Sequence, residues 1–220
     1  MKISYGITVY NEHKELENLL YHLSKHIRDE DEVVVTQDIS KKGTGVYEPE
    51  FLALEKVLEK YEYGTYFNPR HLKVTSFNFQ KDFAALKNYT KEQCSGDYIF
   101  HIDADEIPNE VLLQQLPQIL EINDTDLVWV PRINLVNGIT DFHLNLWKWR
   151  ITEQGWINYP DYQARIFKNA DHIKWVKPVH EVIDGAPTYS HLPPHEELTL
   201  KHEKDINRQE MQNKLYDDIL

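Results

Sequence analysis

The strongest constraint on the fold of this chain is an alternation of strand-like and helix-like segments over roughly its first 130 residues. Residues 2–10, KISYGITVY, are rich in β-branched and aromatic residues and read as a first strand. Asn11 is placed to cap a helix in which Leu16, Leu19, Leu20, Leu23 and Ile27 recur at helical spacing. EVVVT (32–36) is the short apolar run of a strand buried on both faces. DISKKGTG (38–45) has loop composition, and Pro49 opens a helix with Phe51, Leu54, Val57 and Leu58. A β-prone stretch at 72–79 precedes a helix from Phe83 to Cys94, which Ser95-Gly96 closes as a left-handed cap. DYIFHI (97–102) is a strand, Asn109 caps a helix containing Pro117, and DLVWV (126–130) is another strand. Such a rhythm predicts an α/β layered fold, doubly wound, with a mostly parallel sheet and helices on both faces. Ligands of such sheets sit beyond the carboxyl ends of the strands. The polar residues there are Tyr10-Asn11-Glu12, Gln37-Asp38 and Asp103-Ala104-Asp105-Glu106.

The rhythm breaks after residue 131. Residues 132–202 are rich in aromatics and read as short strands and loops without a clear helix, a small irregular C-terminal part. Residues 205–220 read as a short amphipathic helix carrying Met211, Leu215 and Ile219. The expected organisation is one domain in two parts, 1–130 binding the ligand at the strand ends and 131–220 forming the acceptor side.

Charge narrows the function. There are 24 Lys+Arg against 36 Asp+Glu, a net of −12. Extended nucleic-acid binding needs a basic surface and is therefore not expected. A single phosphate-bearing ligand remains compatible if a metal ion supplies the positive charge. No run reaches the roughly 18 apolar residues of a membrane span. The N-terminal segment turns polar too early for a signal peptide, and Cys94 is the only cysteine, which together predict a reduced, cytoplasmic setting.

Asp103-Ala104-Asp105 follows directly on the strand YIFHI. Alternation along a strand directs residues 103 and 105 the same way. Two adjacent carboxylates repel unless a cation lies by them. Oxygen ligands suit a hard divalent ion able to clamp a diphosphate. The plainer reading is a pair of solvated acids in a turn.

The run KNYTKEQCSGDYIFHIDADEIPNEVL resembles the central signature of family 2 glycosyltransferases of the GT-A fold. Its parts are Lys87-Asn88, Gly96, the strand 97–102 and Asp103–Glu106. GITVYNE and VVVTQD resemble the family's first two strands, and ARIFKN, PVHEVIDG and LKHEKD resemble a later branch pattern. The resemblance implies an inverting, metal-dependent glycosyltransferase of hexosyltransferase type. It would carry a sugar from a UDP-sugar to an unidentified acceptor hydroxyl. It also implies residue roles. Thr8, Val9 and Tyr10 would line the nucleobase pocket, and Glu12 and Asp38 would accept from ribose or base. Lys87, where the family more often has Arg, would lie near the phosphates. Asp103 and Ala104 would contact ribose or donor sugar, and Asp105 would ligate the metal. His202, or alternatively His180, would complete the metal site, and imidazole favours Mn2+ over Mg2+. Glu181 is the first candidate for the base and Asp161 the second.

Arg132 and Arg165 are open between donor contacts, counted for Arg165 among the nucleotide-sugar-binding residues, and structural ion pairs. The five tryptophans are open between an acceptor surface and packing. Two other functions remain to be distinguished. A sugar-phosphate nucleotidyltransferase would carry a Gly-rich, Arg-containing loop after the first strand, where this chain has Tyr10-Asn11-Glu12. A non-catalytic nucleotide- or carbohydrate-binding module would bind UDP without turnover. The oligomeric state is not readable from the sequence.

Overall fold

A computed structural model describes residues 1–45, 48–67 and 71–211. The elements in chain order begin with β1 (Ile3–Val9), α1 (His13–His26), β2 (Glu32–Asp38), α2 (Glu48–Glu62), β3 (Leu72–Phe77) and α3 (Phe83–Gln93). They continue with β4 (Tyr98–Asp103), β5 (Glu106–Pro108), α4 (Glu110–Asn123), β6 (Leu127–Asn137), α5 (Asp141–Trp147) and β7 (Ile157–Lys168). β8 (Lys174–Val176), β9 (Val182–Asp184), β10 (Tyr189–His191) and β11 (Leu200–Asp205) complete the strands, and residues 206–211 are helical. The expected tail helix is therefore present as far as Met211, whereas Leu215 and Ile219 lie outside the described residues. Among the described residues no helix is long and apolar enough to cross a membrane.

The main sheet runs β3-β2-β1-β4-β7-β6-β11-β5, with β10 on β6. β3, β2, β1 and β4 are mutually parallel, as the alternation predicts. β7 then enters antiparallel between β4 and β6, while β11 and β10 lie parallel to β6. Alternation in the strands divides the core. Ile3, Tyr5 and Ile7 of β1 and Phe100 and Ile102 of β4 face one layer, where they meet Leu16, Leu19, Leu20 and Leu23 of α1 and the leucines of α4. Each fully buried leucine of α1 contributes about 2 kcal/mol of transfer free energy. Ile99 faces the other layer with Ala84 of α3, Phe167 and Trp175. The helices thus cover both faces, as expected.

Four local expectations are corrected. Glu12, not Asn11, stands at the N-cap of α1, and its carboxylate turns back to accept from the N–H groups of Tyr10 (2.9 Å) and Asn11 (3.1 Å). α3 ends at an extended Cys94, and Gly96 is not left-handed. Glycine is needed at 96 for close approach, because a Cβ there would lie 2.7 Å from the Ser4 backbone nitrogen. The strand at 126–130 continues to Asn137. The region after 131 contains a helix, α5, with none of its residues buried, and a twelve-residue strand, β7. Aromatic crowding in DFHLNLW concealed the short helix, whose Thr140 hydroxyl and His143 ring form a reciprocal cap. Asn109 and Asp82 cap α4 and α3 by accepting from Val111 and Ala85 N–H.

Candidate active site

The parallel strands end at an open cleft of about 1940 Å3. Thr8, Val9 and Tyr10 reach it from β1, Asp38 from β2, Lys87 from α3, and Asp103, Ala104 and Asp105 from the end of β4. Glu12, Asp161, Arg165, His180, Glu181 and His202 line the same cleft. Every residue to which the resemblance gave a catalytic, donor-binding or metal-binding role therefore lines one cleft.

β4 stops at Asp103, and Ala104-Asp105 form a turn. Strand alternation does not extend to Asp105, and the two carboxylates are held by different cations. Asp103 accepts from Arg165 Nη2 at 2.5 Å, with Lys87 Nζ 3.4 Å from its other oxygen. Burial opposes ionisation of Asp103, but the Arg165 and Lys87 charges prevail and hold its carboxyl well below the usual range. Asp105 Oδ2 faces His202 Nε2 at 3.3 Å and Arg208 Nη2 at 3.4 Å. Burial again opposes ionisation, and the His202 hydrogen bond and charge outweigh it, bringing Asp105 down to about 2.

Lys87 is buried, and its ammonium also lies 2.7 Å from Glu181 and 4.6 Å above the Trp175 ring. Asn88 positions that ring by a reciprocal pair of bonds: Nδ2 donates to the Trp175 carbonyl (2.8 Å), and Oδ1 accepts from its N–H (2.9 Å). Both members of the Lys87-Asn88 pair thus serve the site. Behind them His101 is buried against Trp175, and burial pushes its imidazole down to about 4, leaving it uncharged at neutral pH.

Arg132 and Arg165 are engaged in ion pairs. Both donate to the fully buried Glu106, Arg132 at 2.8 Å and Arg165 at 2.6 Å, while Asp103 N–H donates to its other oxygen. Arg132 also donates twice to Asp161, its cross-strand partner, at 2.7 and 3.0 Å. Asn134 Nδ2 (2.8 Å) and Gln163 Nε2 (3.0 Å) donate to the same carboxylate. Burial opposes the ionisation of Asp161, but Arg132 and these donors hold its carboxyl below the usual range, which makes it a weak proton acceptor. At the end of β2, Asp38 Oδ1 accepts from the N–H groups of Ser40 and Phe79. Tyr10 packs edge-on against Phe51.

Sequence reasoning missed Arg208, which bridges Asp105, Glu12 (3.2 Å) and Glu15 (2.7 Å), and Asn134, which binds His202 Nδ1 at 2.9 Å. Neither sits in a motif. Glu106 stood within the quoted acidic run, but its structural role was not read. Of the tryptophans, Trp129, Trp149 and Trp175 line the cleft, Trp129 stacking on His191 and Trp147 packing against Trp149.

Among the described residues no three His, Cys, Asp or Glu side chains gather as a ready-made metal site. The Asp105–His202 pair nevertheless fits a divalent cation. It presents one carboxylate oxygen and one imidazole nitrogen 3.3 Å apart at the cleft, a donor set suited to Mn2+.

The fold is shared with crystal structures of S. aureus TarS. TarS 1–349 in complex with UDP-GlcNAc matches with a TM-score of 0.63 and 19% identity over 93% of this chain and 59% of that one. The UDP complex matches with a TM-score of 0.62 at 19% identity, over 92% and 60%. The chain therefore spans about three-fifths of those TarS chains. No curated protein matches the sequence. The model of glycosyl transferase family 2 matches residues 4–176, so the GT-A architecture and the cleft at its strand ends are those of a family member: the chain belongs to glycosyl transferase family 2.

Proposed function

We propose that the chain is a metal-dependent, inverting glycosyltransferase that moves a sugar from a UDP-sugar to an acceptor hydroxyl. The observation that carries this reading is the convergence, at the end of β4, of the Asp105–His202 pair with Asp103, Lys87 and Glu181. The UDP-sugar assignment draws on the TarS complexes, which hold UDP-GlcNAc and UDP in the same fold.

Asp105 and His202 would hold a divalent cation, whose positive charge would stabilise the departing diphosphate. Thr8, Val9 and Tyr10 receive the base. Asp38 keeps one carboxylate oxygen for the ribose or base after Ser40 and Phe79 take the other. Asp103, pinned by Arg165 and Lys87, orients ribose or donor sugar. Glu181 accepts the proton of the attacking hydroxyl, since Asp161 is saturated by donors. One displacement with one base inverts the anomeric centre.

The test is calorimetric titration of UDP with and without Mn2+, followed by UDP-sugar hydrolysis. UDP should bind more tightly with Mn2+, and Asp105→Ala should remove that gain and the turnover. No Mn2+-dependent gain in the wild-type chain would overturn the metal assignment. Mn2+-dependent binding with no transfer or hydrolysis from any UDP-sugar would show a binding module instead.

A further inference from the structure

His202 has two ring nitrogens, and only one can serve a cation beside Asp105. β11 lies parallel to β6 with His202 directly opposite Asn134. β7 lies antiparallel on the other side of β6 with Asp161 opposite Arg132. A register shift between Arg132 and Asn134 accompanies the approach of both side chains to Asp161.

The polarity of this row follows from charge. The Asp161 carboxylate can only accept, so the Asn134 group facing it at 2.8 Å is the amide Nδ2. Asn134 Oδ1 is then the atom facing His202 Nδ1 at 2.9 Å, and an amide oxygen offers only lone pairs. Nδ1 must therefore carry a proton whatever the charge of the ring, so Nε2, 3.3 Å from Asp105 Oδ2, is the nitrogen that can give up its proton to a metal ion. Either that proton or a divalent cation can occupy the gap between Nε2 and Asp105 Oδ2, and the two compete for it. The opposite Asn134 orientation would set its oxygen against the carboxylate and its NH2 against Nδ1, giving the wrong tautomer for a ligand at Nε2. Arg132 and Gln163 hold Asp161 in place from the other side.

We propose that Asp161 and Asn134 are positioning residues, an Asp161–Asn134–His202 series that selects the His202 tautomer able to bind a divalent cation with Asp105. This rests on the reading of Asp105 and His202 as the metal pair. It assigns Asp161 a role other than proton acceptor and explains why a carboxylate saturated by four donor atoms borders the cleft. Partners that orient a ligating histidine in this way typically change metal affinity by about 10- to 100-fold when removed.

The experiment titrates Mn2+ into the full chain at saturating UDP, followed by calorimetry and by the electron paramagnetic resonance of free Mn2+. Wild type is compared with His202→Ala, Asn134→Leu and Asp161→Asn. Asn134→Leu should weaken Mn2+ binding by about 10- to 100-fold. Asp161→Asn, isosteric and expected to fold even if the leucine variant does not, should weaken it in the same direction. Its UDP-sugar hydrolysis should recover at saturating Mn2+. If His202→Ala weakens Mn2+ binding and both other variants bind as wild type, the positioning series is overturned while the metal pair stands. Wild-type Mn2+ affinity in Asp161→Asn with turnover lost at every Mn2+ concentration would overturn it too, making Asp161 the base. If His202→Ala binds Mn2+ as wild type does, the metal pair itself fails, and the series with it.

Discussion

Lys87 Nζ lies 2.7 Å from Glu181 Oε1, and the same ammonium stands 3.4 Å from Asp103, so one buried cation joins the proposed base to the donor-side carboxylate. The pair ties the loop after β8, where Lys177 and His180 adopt positive φ, to helix α3. Glu181→Gln keeps the shape and removes the basic oxygen. It should lower UDP-sugar turnover by about 100- to 10,000-fold and leave the UDP dissociation constant in Mn2+ within a few-fold of wild type. Lys87→Met removes the shared cation and should weaken UDP binding as well as turnover. Calorimetry and steady-state hydrolysis separate the two effects, and a Glu181→Gln chain that retains turnover would exclude it as the base.

Glu32, at the start of β2, contributes acid-sensitive stability where β2 meets β1. It accepts from Lys2 Nζ (2.7 Å), Ser4 Oγ (2.6 Å) and Ser95 N–H (2.6 Å). Burial opposes its ionisation, but these donors prevail and lower it from 4.5 to about 2. The unfolded chain therefore takes up the proton at a higher pH than the folded one. The stabilisation is fully present above about pH 5 and is lost as pH falls toward 2. Glu32→Gln should cost roughly 2–3 kcal/mol at neutral pH, and the difference from wild type should shrink to near zero by about pH 2. Urea unfolding across that range measures it; a pH-independent difference would contradict the assignment.

Gly96 is the contact point between the end of α3 and β1. Its N–H donates to Ser4 Oγ at 2.8 Å, and an added Cβ would meet both that oxygen and the Ser4 nitrogen at 2.7 Å. Because Ser4 belongs to a central strand, it cannot yield cheaply. Gly96→Ala should destabilise the fold by about 1–3 kcal/mol, read as a lower denaturant midpoint with an unchanged slope.

Much of the first half was legible because its signals are local. The leucine spacing of α1, the apolar run of β2 and the cap at Asn109 each report the surroundings of their own segment. The acidic turn after β4 was legible for the same reason. Two local expectations failed for different reasons: Glu12 takes the cap position through a competing local bond to the Tyr10 and Asn11 N–H groups, and Gly96 serves tertiary packing against Ser4 rather than a left-handed turn.

Sequence alone determined the α/β class, the ends of the strands where chemistry collects, and the acidic residues at 103 and 105. Only the tertiary structure decided which cations those acids meet. β7 inserts antiparallel between β4 and β6, which brings Arg165 to Asp103 and Asp161 to Arg132 and Asn134. β11 then pairs with β6 and β5, which brings His202 to Asp105. Periodicity tells a residue which face it occupies. The register between strands distant in sequence depends on pairing and packing summed over the whole sheet, and that sum leaves no mark on any single segment.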